Sequence, residues 1–227
     1  MNNPEVVKVE TKEEIYNELA NEMSDCRYMF GEGKVDYVGT AAQKKNYCSI
    51  CSQIAFDNSL SNVQGVENGE ISKDELYGYL STAKINKDLT YAEYLFKTKD
   101  VESFKQAASK SGAGTFGTIE TGKQFFVAMG ITSEVNSWAW YLTAAGVGVA
   151  GVLAITPAGF VGAGIILLVT SGAIGAGGAT IDLLEPEISA IIVNGTDVPN
   201  NFMSPTIVES DSQRFKALNC EEILTFS

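Results

Sequence analysis

Hydrophobic positions along this chain follow two patterns, and the longer one is a gap in charge. Positions 135 to 181, between Glu134 and Asp182, form a run of 47 residues without Asp, Glu, Lys or Arg. A hydrocarbon layer about 30 Å thick is crossed by about 20 apolar residues in helical form, so the run suffices for two crossings. At its midpoint Thr156-Pro157-Ala158-Gly159 brings together the two strongest helix breakers and predicts a turn. The pattern therefore predicts a helical hairpin, with legs from about Trp138 to Ile155 and from about Ala158 to Ile181. Trp138, Trp140 and Tyr141 open the first leg as membrane-interface residues, and Asp182 closes the second at the same face. The alternative is the buried glycine-rich core of a soluble α/β domain.

The remaining sequence carries the periodicities of an α+β domain in two pieces. Ile15, Leu19, Met23, Cys26 and Phe30 recur at steps of four, four, three and four, which is one helix stripe. Thr11 with Glu14 is spaced as a capping box at its start, and Ser72 with Glu75 repeats the signal for a helix through Leu80. Further helices are expected at Tyr91 to Lys97 and Val101 to Ala108. Extended segments are expected at Lys34 to Gly39, Asn46 to Phe56, Phe125 to Ile131, Ile188 to Val193 and Ile223 to Phe226, with Pro199 to Pro205 irregular.

Glycine refines the hairpin. Ten glycines lie in the neutral run, and Gly148, Gly159 and Gly172 each begin or end a small-xxx-small pair. In lipid such residues let helices approach closely, which predicts packing of the legs on each other or on further copies of the chain. The positive-inside rule scarcely orients the span, since the nearest basic residues are Lys123 and Arg214. Met1 to Glu10 has no apolar h-region, so either an upstream segment is missing or the hairpin itself directs insertion.

Composition narrows the chemistry. Sixteen basic residues against 28 acidic ones give a net charge of −12, which disfavours a phosphate backbone as partner. Histidine is absent, which removes Ser-His-Asp and Cys-His catalysis. Gly146 to Gly151 matches GxGxxG without the acidic residue that ribose recognition requires, and Gly117 to Lys123 has Walker A spacing but ends on Gln124, so no nucleotide is expected. Asn68 to Glu75 copies only the second half of a calcium loop. Asn194-Gly195-Thr196 is a glycosylation sequon that has meaning only if this flank is exported.

Cys26, Cys48, Cys51 and Cys220 carry the most chemistry. An even count fits two disulfides in an oxidising compartment, with three connectivities open. A Zn(Cys)4 site, free thiols and redox use of the Cys48-x-x-Cys51 pair are the rivals. Any bond to Cys220 would tie the C-terminal tail to the N-terminal piece. The segment Tyr47 to Phe56, with Met29 to Lys34 before it and Ser204 to Cys220 near the end, resembles a group of uncharacterised archaeal membrane proteins with a Cys-x-x-Cys segment. The resemblance implies a membrane location and no known activity.

The sequence thus predicts an α+β extramembrane domain interrupted by a glycine-rich two-helix transmembrane hairpin. The pieces are residues 1–137, the hairpin 138–182, and residues 183–227 packing back on the first piece. No catalytic residue, metal or cofactor is expected. The expected partners are the lipid bilayer and further copies of the chain, with the flanks on the extracytoplasmic face. The expected role is a non-enzymatic, membrane-anchored structural or interaction protein of a cell-surface or envelope assembly. Two alternatives are a pore-forming or toxin-like protein that inserts its hairpin and a membrane-tethered thiol-disulfide oxidoreductase using Cys48 and Cys51.

Overall fold

A computed structural model describes residues 5–39, 45–109, 113–132, 149–155, 165–170 and 186–225. Its first helix, α1 (Lys12–Met29), begins where the capping box operates. The Thr11 hydroxyl accepts from the Glu14 N–H at 3.3 Å, and the Glu14 carboxylate accepts from the Thr11 N–H at 3.4 Å. The stripe Ile15, Leu19, Met23 and Cys26 is buried, as one helix face must be when it lies on a sheet. Helices α2 (Lys73–Thr82), α3 (Tyr91–Phe96) and α4 (Glu102–Ser109) follow, and Ser72 and Thr90 cap α2 and α3. A short α5 (Gln213–Ala217) is capped by Ser212.

Strands β1 (Tyr47–Ala55), β4 (Gln124–Thr132), β5 (Val149–Ile155), β6 (Ile165–Thr170), β7 (Glu187–Asn194), β8 (Asn201–Glu209) and β9 (Glu222–Thr225) form one sheet in the order β5-β6-β7-β8-β4-β1-β9. The pairs are antiparallel except β1 with β9, and β2 (Glu70–Ser72) pairs with β3 (Thr118–Glu120) in a separate ribbon. Alternation along the strands divides the apolar residues between two cores. Val127, Met129, Ile131, Ile191 and Phe202 join α1 to α4 in the larger core. Ala190, Ile192, Met203 and Val208 meet Ala217 and Leu218 on the opposite face.

The predicted transmembrane helical hairpin is not found among the described residues. Its described parts are the antiparallel strands β5 and β6, in register from Ile155 with Ile165 to Val149 with Thr170, and β6 pairs in turn with β7. No helix among the described residues is long and apolar enough to cross a membrane. Short apolar runs satisfy helix and strand patterns alike, so local composition and available partners decide. Glycine costs a helix interior about 1 kcal/mol per residue, whereas Val149, Val152, Ile155, Ile165, Ile166 and Val169 favour the pleated form. The exposed hydrogen-bonding edge of β7 then supplies the partner.

Two smaller expectations also change. Lys34 to Gly39 forms bends rather than a strand. Pro199 to Pro205 is not irregular throughout, because β8 runs through Pro205. The register with β4 shifts there, from Met203 opposite Gly130 to Thr206 opposite Ala128, and a bulge is one of the places where a strand tolerates proline. Thr11→Ala, by removing one half of the capping box, is expected to cost about 1 kcal/mol, while Thr11→Asp retains most of the stability. Urea unfolding followed by far-UV circular dichroism measures both.

Candidate functional site

Strand β1 positions the cysteines. Residues an odd number apart on a strand turn to opposite faces, so Cys48 and Cys51 diverge, and a bulge between Ile50 and Ser52 sets Cys51 outside the ladder. Cys51 bonds Cys26 of α1 on the helix side, and Cys48 bonds Cys220 beyond α5 on the other, each with Cα atoms 5.4 Å apart. Both pairs leave no thiol for zinc and no Cys48–Cys51 disulfide for thiol exchange. Two such bonds indicate an oxidising extracytoplasmic or secreted location. Cys220 is held beside β1 together with β9, whose residues pair Tyr47 with Glu222 and Ile50 with Thr225.

A second constellation lies at the start of β7. Glu187 opens β7 and is 2% exposed. Its Oε1 receives Arg214 Nε from α5 at 2.6 Å, and Lys73 Nζ from the first turn of α2 stands 3.9 Å away. Burial pushes the Glu187 carboxyl above its ordinary value of 4.5, against the opposing pull of Lys73 and Arg214. Burial likewise lowers the Lys73 ammonium. The loop before β3 closes over the carboxylate. Gly117 has φ +86°, and a Cβ there would collide with the Glu187 side chain, so glycine is required twice over. Asp74, next to Lys73, accepts from the Thr115 hydroxyl and from the Phe116 N–H, and Lys105 of α4 lies 3.9 Å from it. The Phe116 ring, next to Gly117, stacks on Tyr77 of α2 at 3.9 Å between centroids.

Local sequence signals do not bring Glu187, Lys73 and Arg214 together as a cluster. Glu187 is the last acid of a short acidic stretch, after Asp182 and Glu185, at the start of an apolar strand; the cations that meet it, Lys73 and Arg214, are 114 and 27 positions away in the chain. Trp138, Trp140, Tyr141, Gly148, Gly159 and Gly172 lie outside the described residues. The glycine-rich segment Gly117 to Lys123 forms β3 and a turn into β4, where a phosphate loop would open a helix. Asn68 to Glu75 folds as a turn, β2 and the start of α2.

An open cleft of about 360 Å³ lies between α1 and α3, lined by Ser24, Asp25, Tyr28, Glu32, Asn86 and Tyr94 among others. Several of its polar groups serve the fold. Glu32 binds Lys34 and accepts from the Tyr94 hydroxyl, Ser24 donates to the Asn21 carbonyl, and Asn86 accepts from the Asp88 and Leu89 N–H groups. The buried Arg27 guanidinium beneath it donates to the Leu95 and Glu32 carbonyls and lies 5.6 Å from the Tyr94 ring centre. Among the described residues no group of three or more Cys, Asp or Glu side chains is arranged to hold a metal ion. Comparison of the chain with models of known protein families, with curated proteins and with solved structures finds no match.

Closing the loop of Cys48–Cys220, separated by 172 residues, contributes about 5 kcal/mol in the chain-entropy description, against about 3.5 for Cys26–Cys51, separated by 25. Denaturant titration of the two paired-alanine variants is expected to show the larger loss for Cys48→Ala with Cys220→Ala.

Arg214→Met leaves Glu187 buried with its more distant cation and is expected to cost about 3–5 kcal/mol at neutral pH. An acid whose folded-state pKa is raised gives most stability below its unfolded value, near 4.5, and loses it as pH rises through the folded value. Removing Arg214 raises that pKa further. The deficit against wild type should therefore shrink toward pH 4 and grow toward pH 8, as measured by melts across that range.

Proposed function

We propose that this chain is a non-enzymatic, extracytoplasmic interaction protein of a cell-surface or envelope assembly, and that it self-associates through the outer edge of β5. The observation that carries the reading is the place of β5. It is the last strand of the sheet, pairs with β6 alone among the described residues, and belongs to a run without one charged side chain. An edge strand presents unpaired N–H and C=O groups, and proteins that remain monomeric blunt such edges with lysine, proline or a bulge. Here Val149–Ile155 contains neither lysine nor proline, and its register shift lies between Val149 and Gly151, leaving Val152 to Ile155 regular. Edge-to-edge pairing of two copies about a twofold axis satisfies those groups. The four cysteines support the same reading, because all are spent on stapling the body that carries the edge.

A second reading, insertion of the β5–β6 hairpin into a bilayer as a pore-forming or toxin-like protein, draws on the neutrality of residues 156–164 that join the strands. A tip without charge incurs no ionic desolvation on entering hydrocarbon. A membrane-crossing strand needs about 9–11 residues, so β5 and β6 would have to lengthen on insertion.

Sedimentation and light scattering separate the readings. Wild-type protein is expected to be dimeric or larger at high micromolar concentration, and Val152→Lys with Ala154→Lys to be monomeric with an unchanged circular dichroism spectrum. A monomeric wild type that releases dye from liposomes would favour insertion. A monomer that releases none would overturn both.

A further inference from the structure

The sequon Asn194-Gly195-Thr196 is the one N-x-Ser/Thr sequence in the chain, and the fold sets it at the end of β7 and in the turn to β8. Gly195 donates to the Asn200 carbonyl at 2.8 Å, and Thr196 N–H donates to the Gly33 carbonyl at 3.0 Å. Any side chain at the middle position would press on the carbonyls of Val198 and Asn200, so the turn itself selects glycine there. Lys97 Nζ donates to the Asn194 carbonyl at 2.7 Å and to Thr196 Oγ1 at 2.9 Å, holding the turn while the Asn194 amide takes no hydrogen-bond partner among the described residues. Thr196 and Asp197 are exposed and Asn194 is half-buried at the strand end. Replacing an amide hydrogen of Asn194 therefore breaks no contact that the fold needs.

We infer that Asn194 is an N-glycosylation site, an acceptor for oligosaccharide from a lipid-linked donor. The inference rests on the extracytoplasmic setting, since only there does such a donor meet the chain. The Asn194 side-chain nitrogen forms a bond to the anomeric carbon of the first sugar, and the bond from that carbon to the lipid phosphate breaks. The phosphate departs with the bonding electron pair, one amide proton passes to the transferring enzyme, and nothing is oxidised or reduced.

Register gives the modification a consequence. Val193 pairs with Ile165, and Ile165 with Ile155, so Asn194 stands at the sheet end where β5 stops and β6 starts. A bulky, hydrophilic glycan beside those strand ends keeps that end of the sheet in water. It opposes entry of the hairpin into a bilayer by its joined end and leaves the outer edge of β5 free for a second copy.

The test is peptide mapping of the protein isolated from its own cells. Cleavage after glutamate releases residues 188–209, a peptide with the single sequon. It is expected to carry a glycan mass that is lost in Thr196→Ala and kept in Thr196→Ser. The unmodified mass in wild type overturns the inference. Mapping the Cys48–Cys220 peptide in the same digest shows which premise failed. An intact disulfide with bare Asn194 removes this site alone, whereas free thiols with bare Asn194 remove the extracytoplasmic setting and this site together.

Discussion

A strand turns successive side chains to opposite faces, and in β1 that alternation separates two cysteines that are neighbours in sequence. Cys51 is drawn to α1 and Cys48 to the C-terminal tail, so a single central strand is bolted to the layer above it and to the segment below it. The parallel pairing of β9 with β1 depends on the second bond's neighbourhood, because Cys220 precedes Glu222 by two residues. The same geometry puts Cys48 and Cys51 into two different disulfides rather than into one pair. In a helix opening, residues at this spacing face one another; in a strand they cannot.

The neutral run illustrates how much a hydrophobicity count leaves open. Its length alone fits two membrane helices, yet its described parts are strands of the body's own sheet. In water glycine and β-branched residues weaken a helix, and β7 offers a hydrogen-bonding edge that no isolated segment has. The cost of this solution is moved rather than removed. Among the described residues the sheet ends at β5, whose Val152 to Ile155 stretch carries no lysine or proline, and the self-association proposed above draws on that edge.

At the start of β7 a buried carboxylate meets two cations from helices far apart in sequence. A buried ion pair adds little net stability over an apolar contact, but any misplacement of its partners leaves a charge stranded, so it enforces one arrangement of α2, α5 and β7. Gly117 completes that enforcement, since only a residue without a Cβ lets the loop close on Glu187.

Local signals in the sequence determined much of the helical layer. The capping pairs Thr11 with Glu14 and Ser72 with Glu75, and the stripe from Ile15 to Phe30, act between residues three or four apart and so are legible without any fold. The strands at Phe125 to Ile131 and Ile188 to Val193 were legible for the same reason, and the even cysteine number pointed to an oxidising setting. Tertiary structure alone decided which cysteine meets which, that residues 149–155 and 165–170 are strands, that Pro205 sits in a bulged strand, and that Glu187 faces Lys73 and Arg214. Each of these is a pairing between residues distant in the chain, and its energy exists only once an independent element has been brought alongside.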